Sequence, residues 1–205
     1  AELSIRKAIE IKPDYAEAHY NLGSILRDLG KLQEAALSTR KAIEIKLDLA
    51  EAHYNLGIIL KDLGKSQEAA LSTRKAIEIK PDYTDAHSTL GSILKDLGKL
   101  QEAELSTRKA IALNPELAEA AWNLYGLSNN IEQAEERINQ CLSIDSNFLK
   151  AKLSLSALKM HQGDHSLLDQ LMKSNNKDHP YIRSFKWAST LPNLPELFFH
   201  RWALF

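Results

Sequence analysis

Four columns of side chains recur along this 205-residue chain at a 34-residue interval, and each carries its own chemistry. One is acidic: Glu17, Glu51, Asp85 and Glu119. Three residues further on, rings recur at Tyr20, Tyr54 and Trp122, with Ser88 between them. The next position holds Asn21, Asn55, Thr89 and Asn123, and a basic column follows at Arg27, Lys61 and Lys95. A carboxamide offers donors and an acceptor together, so it can pair with a peptide backbone whatever side chains that peptide bears. Asparagine at a fixed interval therefore suits an extended peptide lying across the repeats. The plainer reading is a row of solvated helix residues, and Thr89 interrupts the series.

Other constellations lead nowhere chemical. His19, His53 and His87 form a column, but one histidine per repeat puts neighbours about 10 Å apart by helix-packing distances. Zinc needs its nitrogens at about 2.0–2.1 Å, so these are read as packed helix residues. His161 and His165 straddle Gly163 and Asp164, which read as a turn between helices. The single cysteine, Cys141, excludes an internal disulfide framework and any multi-cysteine zinc site, and it replaces a small buried alanine. No Gly-rich phosphate loop, GxSxG elbow or HExxH occurs, so this segment is expected to hold no catalytic residue, metal or cofactor. Arg40-Lys41, Arg74-Lys75 and Arg108-Lys109 form a basic ridge that could touch phosphates. Glu44 and Glu78 follow Arg40 and Arg74 at the four-residue step that allows pairing, so a partly neutralised solvated face is expected. Lys and Arg number 26 against 27 Asp and Glu, a formal net charge of −1, which gives no bulk reason to expect nucleic acid or an anionic membrane. No apolar run approaches the roughly 20 residues of a spanning helix. Nothing at the start reads as a signal peptide, although Ala1 leaves an upstream leader open; the cytoplasm is the expected location.

The columns are positioned by an internal repeat. Residues 16–49 recur at 50–83 with five substitutions in 34 positions, and 84–117 matches the second copy at 22 of 34. A fourth copy, 118–148, is three residues shorter, and a faint fifth, 149–173, keeps Gly163 at its turn. Residues 1–15 match the second half of a repeat. Within the first copy, Ala18, Leu22, Ile25, Leu26 and Leu29 recur at three- and four-residue steps, one face of a helix that Gly30 ends. Ala35, Leu37, Ala42, Ile43 and Ile45 mark a second helix. Pro13, Pro81 and Pro115 close units, whereas Leu47 leaves the first copy's turn to Asp48. Small residues at Ala18, Gly23, Ala35 and Ala42, repeated in the next two copies, let paired helices approach to about 8–10 Å. In the fourth copy, Ser128-Asn129-Asn130 replaces the longer turn, which predicts a local change of pitch.

Period, small residues and closing proline together resemble the tetratricopeptide repeat (TPR) family over about residues 1–173. His19, His53 and His87 stand where that family usually has Trp, and Thr39, Thr73 and Thr107 where it has an aromatic in the second helix. The resemblance implies an all-α, right-handed superhelical solenoid of antiparallel helix pairs, with the first helix of each unit lining a concave groove. A partner peptide in that groove would meet Glu17, Tyr20, Asn21, Arg27, Glu51, Tyr54, Asn55, Lys61, Asp85, Lys95, Trp122 and Asn123. The asparagine column is similar to the ladder in the TPR region of O-linked N-acetylglucosamine transferases. The carboxylate clamp used for chaperone tails is absent: it needs Lys at the fifth position and Asn at the ninth, where this chain has Tyr20 or Tyr54 and Ser24 or Ile58.

Residues 174–205 fall outside the repeat. Ser174 to His179 reads as a polar loop, and Pro180 to Ala188 as a helix with Tyr181, Ile182 and Phe185 inward. Asn193 and Glu196 then suggest a capped helix bearing Leu197, Phe198, Phe199, Trp202, Leu204 and Phe205. It is expected either to cap the last repeat or to begin a further domain, and it is similar to junctions in bacterial TPR proteins that continue into a methyltransferase. The expected function is a protein-interaction scaffold holding an extended partner peptide. The alternative is the substrate-docking region of a larger methyltransferase or glycosyltransferase, and self-association through the terminal helix is a further expectation.

Overall fold

The computed structural model describes residues 2–173. Among the described residues there are eleven helices and no strand, in two compact units divided between Pro115 and Glu116. The first unit holds α1 (Glu2–Ile11), α2 (Ala16–Asp28), α3 (Leu32–Ile45), α4 (Ala50–Asp62), α5 (Ser66–Ile79), α6 (Thr84–Asp96) and α7 (Leu100–Leu113). The second holds α8 (Ala118–Tyr125), α9 (Ile131–Ile144), α10 (Leu149–His161) and α11 (Ser166–Lys173). Each helix of the first unit packs on its chain neighbour, and the first helices α2, α4 and α6 also touch in sequence, the packing of an all-α TPR solenoid. No helix among the described residues is long and apolar enough to cross a membrane. The expectations for residues 174–205 lie outside the described residues.

Sharp helix ends make the pairs antiparallel. Gly30 adopts φ 73°, a left-handed conformation with little steric cost for glycine. There Lys31 N–H donates to Leu26 O at 2.8 Å and Gly30 N–H to Arg27 O at 2.8 Å, so two orphan carbonyls of α2 are satisfied. The paired helices then meet through the small residues. Ala18, Ala35, Ala42 and their equivalents are almost fully buried. Gly23 lies against Thr39, and a Cβ added there would overlap Thr39 Oγ1 and sit 3.2 Å from Ala35 O. Thr39 is itself fully buried, with its hydroxyl donating to Ala35 O at 2.8 Å. The threonine standing where an aromatic is usual thus fills the notch opposite the glycine and satisfies its own hydroxyl. The second and third copies repeat this arrangement at Gly57–Thr73 and Gly91–Thr107.

Leu37 lies in the second helix as expected, on its outward side: it is 67% exposed, as are Leu71 and Leu105 at 69% and 70%, because Ala35, Ala36, Thr39 and Ala42 occupy the inward face. Two expectations need correction. Arg40 and Arg74 do not pair with the glutamates four residues on. They reach across to the next repeat, Arg40 to Glu68 at 3.1 Å and Arg74 to Glu102, and Glu44 and Glu78 pair instead with Lys41 and Lys75 at three-residue spacing. The turn with Leu47 does not depend on Asp48 alone. Lys46 N–H donates to Ala42 O at 2.9 Å, and the Leu47 carbonyl accepts from His53 Nε2 at 3.0 Å.

The last contact explains the histidine column. His19, His53 and His87 each donate from Nε2 to the carbonyl of the residue six positions back, Pro13, Leu47 and Pro81, at 2.8–3.0 Å. Each ring fastens the preceding turn to the helix it leads into.

In the second unit the short repeat costs α8 its last turn. Asn130 caps α9, its side chain accepting from Gln133 N–H at 2.8 Å. The buried Arg137 donates to the Leu124 carbonyl at 2.6 Å, covering an oxygen at the C-terminus of α8. Trp122, Tyr125, Ile138, Cys141, Ala151 and Leu158 build one core cluster. Cys141 is fully buried, its Sγ 3.3 Å from Ala118 O, and burial pushes its thiol up to about 11.

Candidate peptide-binding face

The candidate face in the first unit is carried by α2, α4 and α6. Because α2 and α4 differ little in sequence, the same helical face is presented again one repeat later. Polar side chains bridge consecutive first helices. Arg27 on α2 donates to Asn55 Oδ1 on α4 at 3.0 Å. Lys61 on α4 donates to Ser92 Oγ on α6 at 2.8 Å. Thr89 on α6 donates to Tyr54 Oη on α4 at 3.4 Å. The residue that interrupts the asparagine series is therefore a working part of the floor.

Tyr54 stands at its centre. Its ring lies 4.9 Å from that of Tyr83, tilted by 51°, and the Lys80 ammonium lies over the Tyr83 ring, 4.9 Å from its centre. Burial pushes both phenols up, with the carboxylate of Asp85 adding to the shift at Tyr54 and the Thr89 hydroxyl and Arg27 opposing it. Tyr83 was not among the expected site residues. The available signal was its ring at the last position of its copy, where the flanking copies have Leu49 and Leu117.

The asparagines divide. Asn21 is exposed, whereas Asn55 is 4% exposed and Asn123 6%. With its oxygen committed to Arg27, Asn55 keeps a buried Nδ2 that has no partner. At the acidic positions, Glu17 lies 3.8 Å from Lys46, Glu51 is partly buried and Asp85 is exposed. Lys95 and Tyr20 are partly buried.

Trp122 and Asn123 belong to the second unit, described by itself. Trp122 is buried in the core, with Phe148 6.3 Å from its ring and the Lys150 ammonium 5.0 Å above it. Lys150 also lies 3.5 Å from Glu119. The structure thus gathers Glu17 through Lys95 on the first helices of one unit and puts Trp122 and Asn123 in the other.

TPR repeat models match residues 5–36, 23–64, 50–83 and 84–117, together more than half of the chain. Among solved structures, a tetratricopeptide repeat protein from Parabacteroides merdae superimposes with a TM-score of 0.76 at 20% identity, covering 99% of this chain and 82% of that one. YrrB, described as a TPR protein with an unusual peptide-binding site, gives a TM-score of 0.65 at 21% identity, over 93% of this chain and 100% of its own. An O-GlcNAc transferase from Thermobaculum terrenum gives 0.59 at 20% identity, over 62% of this chain and 26% of that one. Among curated proteins the sequence finds no match.

Proposed function

Because the chain belongs to the tetratricopeptide-repeat family, we propose that it is a protein-interaction scaffold that lays an extended partner segment across α2, α4 and α6. The observation that carries this reading is the bridged floor: Arg27–Asn55, Lys61–Ser92 and Tyr54–Thr89 each tie one first helix to the next. A floor fixed in this way presents its groups without further ordering, and pre-ordered groups lose less entropy when a ligand arrives. Tyr20 and Tyr54 supply ring surface, and the Asn21 carboxamide carries the donors and acceptor that a passing backbone needs.

The test is selection of peptides from a display library against the purified chain, followed by affinity measurements on Asn21→Ala and Tyr54→Ala. Loss of a central aromatic contact costs about 2 kcal/mol or more, roughly thirtyfold in Kd. Selected peptides that bind both variants as tightly as the parent would show that the ligand sits elsewhere. The same face would serve a free-standing adaptor or the docking region of a larger transferase.

A further inference from the structure

The two faces of the first unit treat charge differently. On the outer helices, charges are paired: Arg6 with Glu34, Arg40 with Glu68, Arg74 with Glu102, Lys41 with Glu44 and Lys75 with Glu78. On the inner helices, pairing fails in the middle of the groove. Among the described residues, Glu51 and Asp85 have no basic group within 4.0 Å, and Lys61 has no carboxylate within that distance. Lys61 is instead held by the neutral hydroxyl of Ser92. Arg27 is held by the neutral Asn55, its one carboxylate being that of its exposed chain neighbour Asp28 at 3.1 Å.

These charges also lie on opposite edges. Glu51 and Asp85 are in the first turns of α4 and α6, whereas Lys61 is in the last turn of α4 and Arg27 in that of α2. Glu51 and Lys61 are ten residues apart on one helix, an offset of about 15 Å along its axis. A chain crossing the first helices therefore runs between the carboxylates of Glu51 and Asp85 and the cations of Arg27 and Lys61. Each of these cations is followed by an exposed acid, Asp28 and Asp62, with Lys61 outside any ion pair among the described residues. In an extended segment successive side chains point to opposite sides, so odd residues face one edge and even residues the other.

We infer that the groove selects an extended partner segment of alternating charge, with Lys or Arg turned to Glu51 and Asp85 and Asp or Glu turned to Arg27 and Lys61. The inference rests on the groove reading above and adds the chemistry of its ligand. Glu17 is already answered by Lys46, so selectivity is concentrated on α4 and its two neighbours.

The test compares three labelled peptides of equal length by fluorescence anisotropy with the whole chain: alternating Lys-Glu, the same residues as a Lys block joined to a Glu block, and alternating Ser-Asn. Several exposed ion pairs together should favour the alternating peptide over the block about three- to tenfold, an advantage that shrinks with added salt. The double substitution Glu51→Gln with Asp85→Gln, and separately Lys61→Gln, should each reduce that preference, with unchanged far-UV circular dichroism and melting showing that the fold is kept. Equal binding of alternating and block peptides, still weakened by Tyr54→Ala, would overturn the charge pattern and leave the groove reading standing. Binding of no peptide, or binding that Tyr54→Ala leaves untouched, would overturn both.

Discussion

Replacing Gly57 by Ala tests the packing logic of the whole first unit. An added Cβ would overlap Thr73 Oγ1 and lie 3.3 Å from Ala69 O. Thr73 cannot step aside, because it is fully buried and its hydroxyl donates to Ala69 O at 2.9 Å. Overfilling a packed site costs about 1–3 kcal/mol, and a clash with a fixed group belongs at the upper end. Alanine repays about 1 kcal/mol over glycine inside a helix. The net expectation is a loss of about 2 kcal/mol, read from urea unfolding followed by far-UV circular dichroism. The decisive measurement is the cycle with Thr73. In the Thr73→Ala background the obstructing oxygen is gone, so Gly57→Ala should be neutral or stabilising by up to about 1 kcal/mol. In the Thr73→Ser background the hydroxyl remains and so should the cost. A stabilising Gly57→Ala in the parent, or an equal cost in all three backgrounds, would refute the account.

Leu47→Pro should stabilise by about 0.4–1 kcal/mol, since three equivalent turns already hold proline and the urea midpoint reports the gain. Arg137→Ala should cost about 1.5–3 kcal/mol, the scale of a hydrogen bond from a charged group, and a thermal melt in which Arg137→Ala matches the parent would remove its role at the end of α8. Tyr54 and Tyr83 have phenols raised above 10.0 by burial. The folded chain keeps protons that the unfolded chain surrenders near pH 10, so stability is level below that pH and falls above it. Phe at both positions should flatten that fall in urea titrations at stepped alkaline pH. Cys141, with its thiol pushed up to about 11 and no exposure, should react with a disulfide reagent only as the fold opens, seen as labelling that follows unfolding.

Much of the fold was legible because a repeat states its instructions several times. Gly30, the Ala and Gly notches and the closing prolines each act locally, so sequence spacing alone locates the turns and the helix pairs. Partners chosen across repeats were not legible. Arg40 has a carboxylate four residues on, and only the stacking of α3 beside α5 brings Glu68 nearer in the third dimension. The residues of the candidate site could be named as columns, while their states could not. Asn55 is covered by Arg27 reaching over from α2, a contact between repeats that no local pattern announces. Tyr83 was hidden because its partner ring, Tyr54, lies in the first helix of the same repeat, far along the chain.

The rungs Arg6–Glu34, Arg40–Glu68 and Arg74–Glu102 are each made of one half from a repeat and the other half from its successor. Such a ladder is indifferent to the number of its rungs. Unequal crossing-over between copies that share most of their residues would add or delete one whole unit, and every half-rung would find a new counterpart without any compensating mutation. Arg108 of α7 pairs instead with Glu104 of its own helix at 2.8 Å. The number of repeats is therefore a quantity that duplication of a whole unit could change in steps while these rungs keep their form.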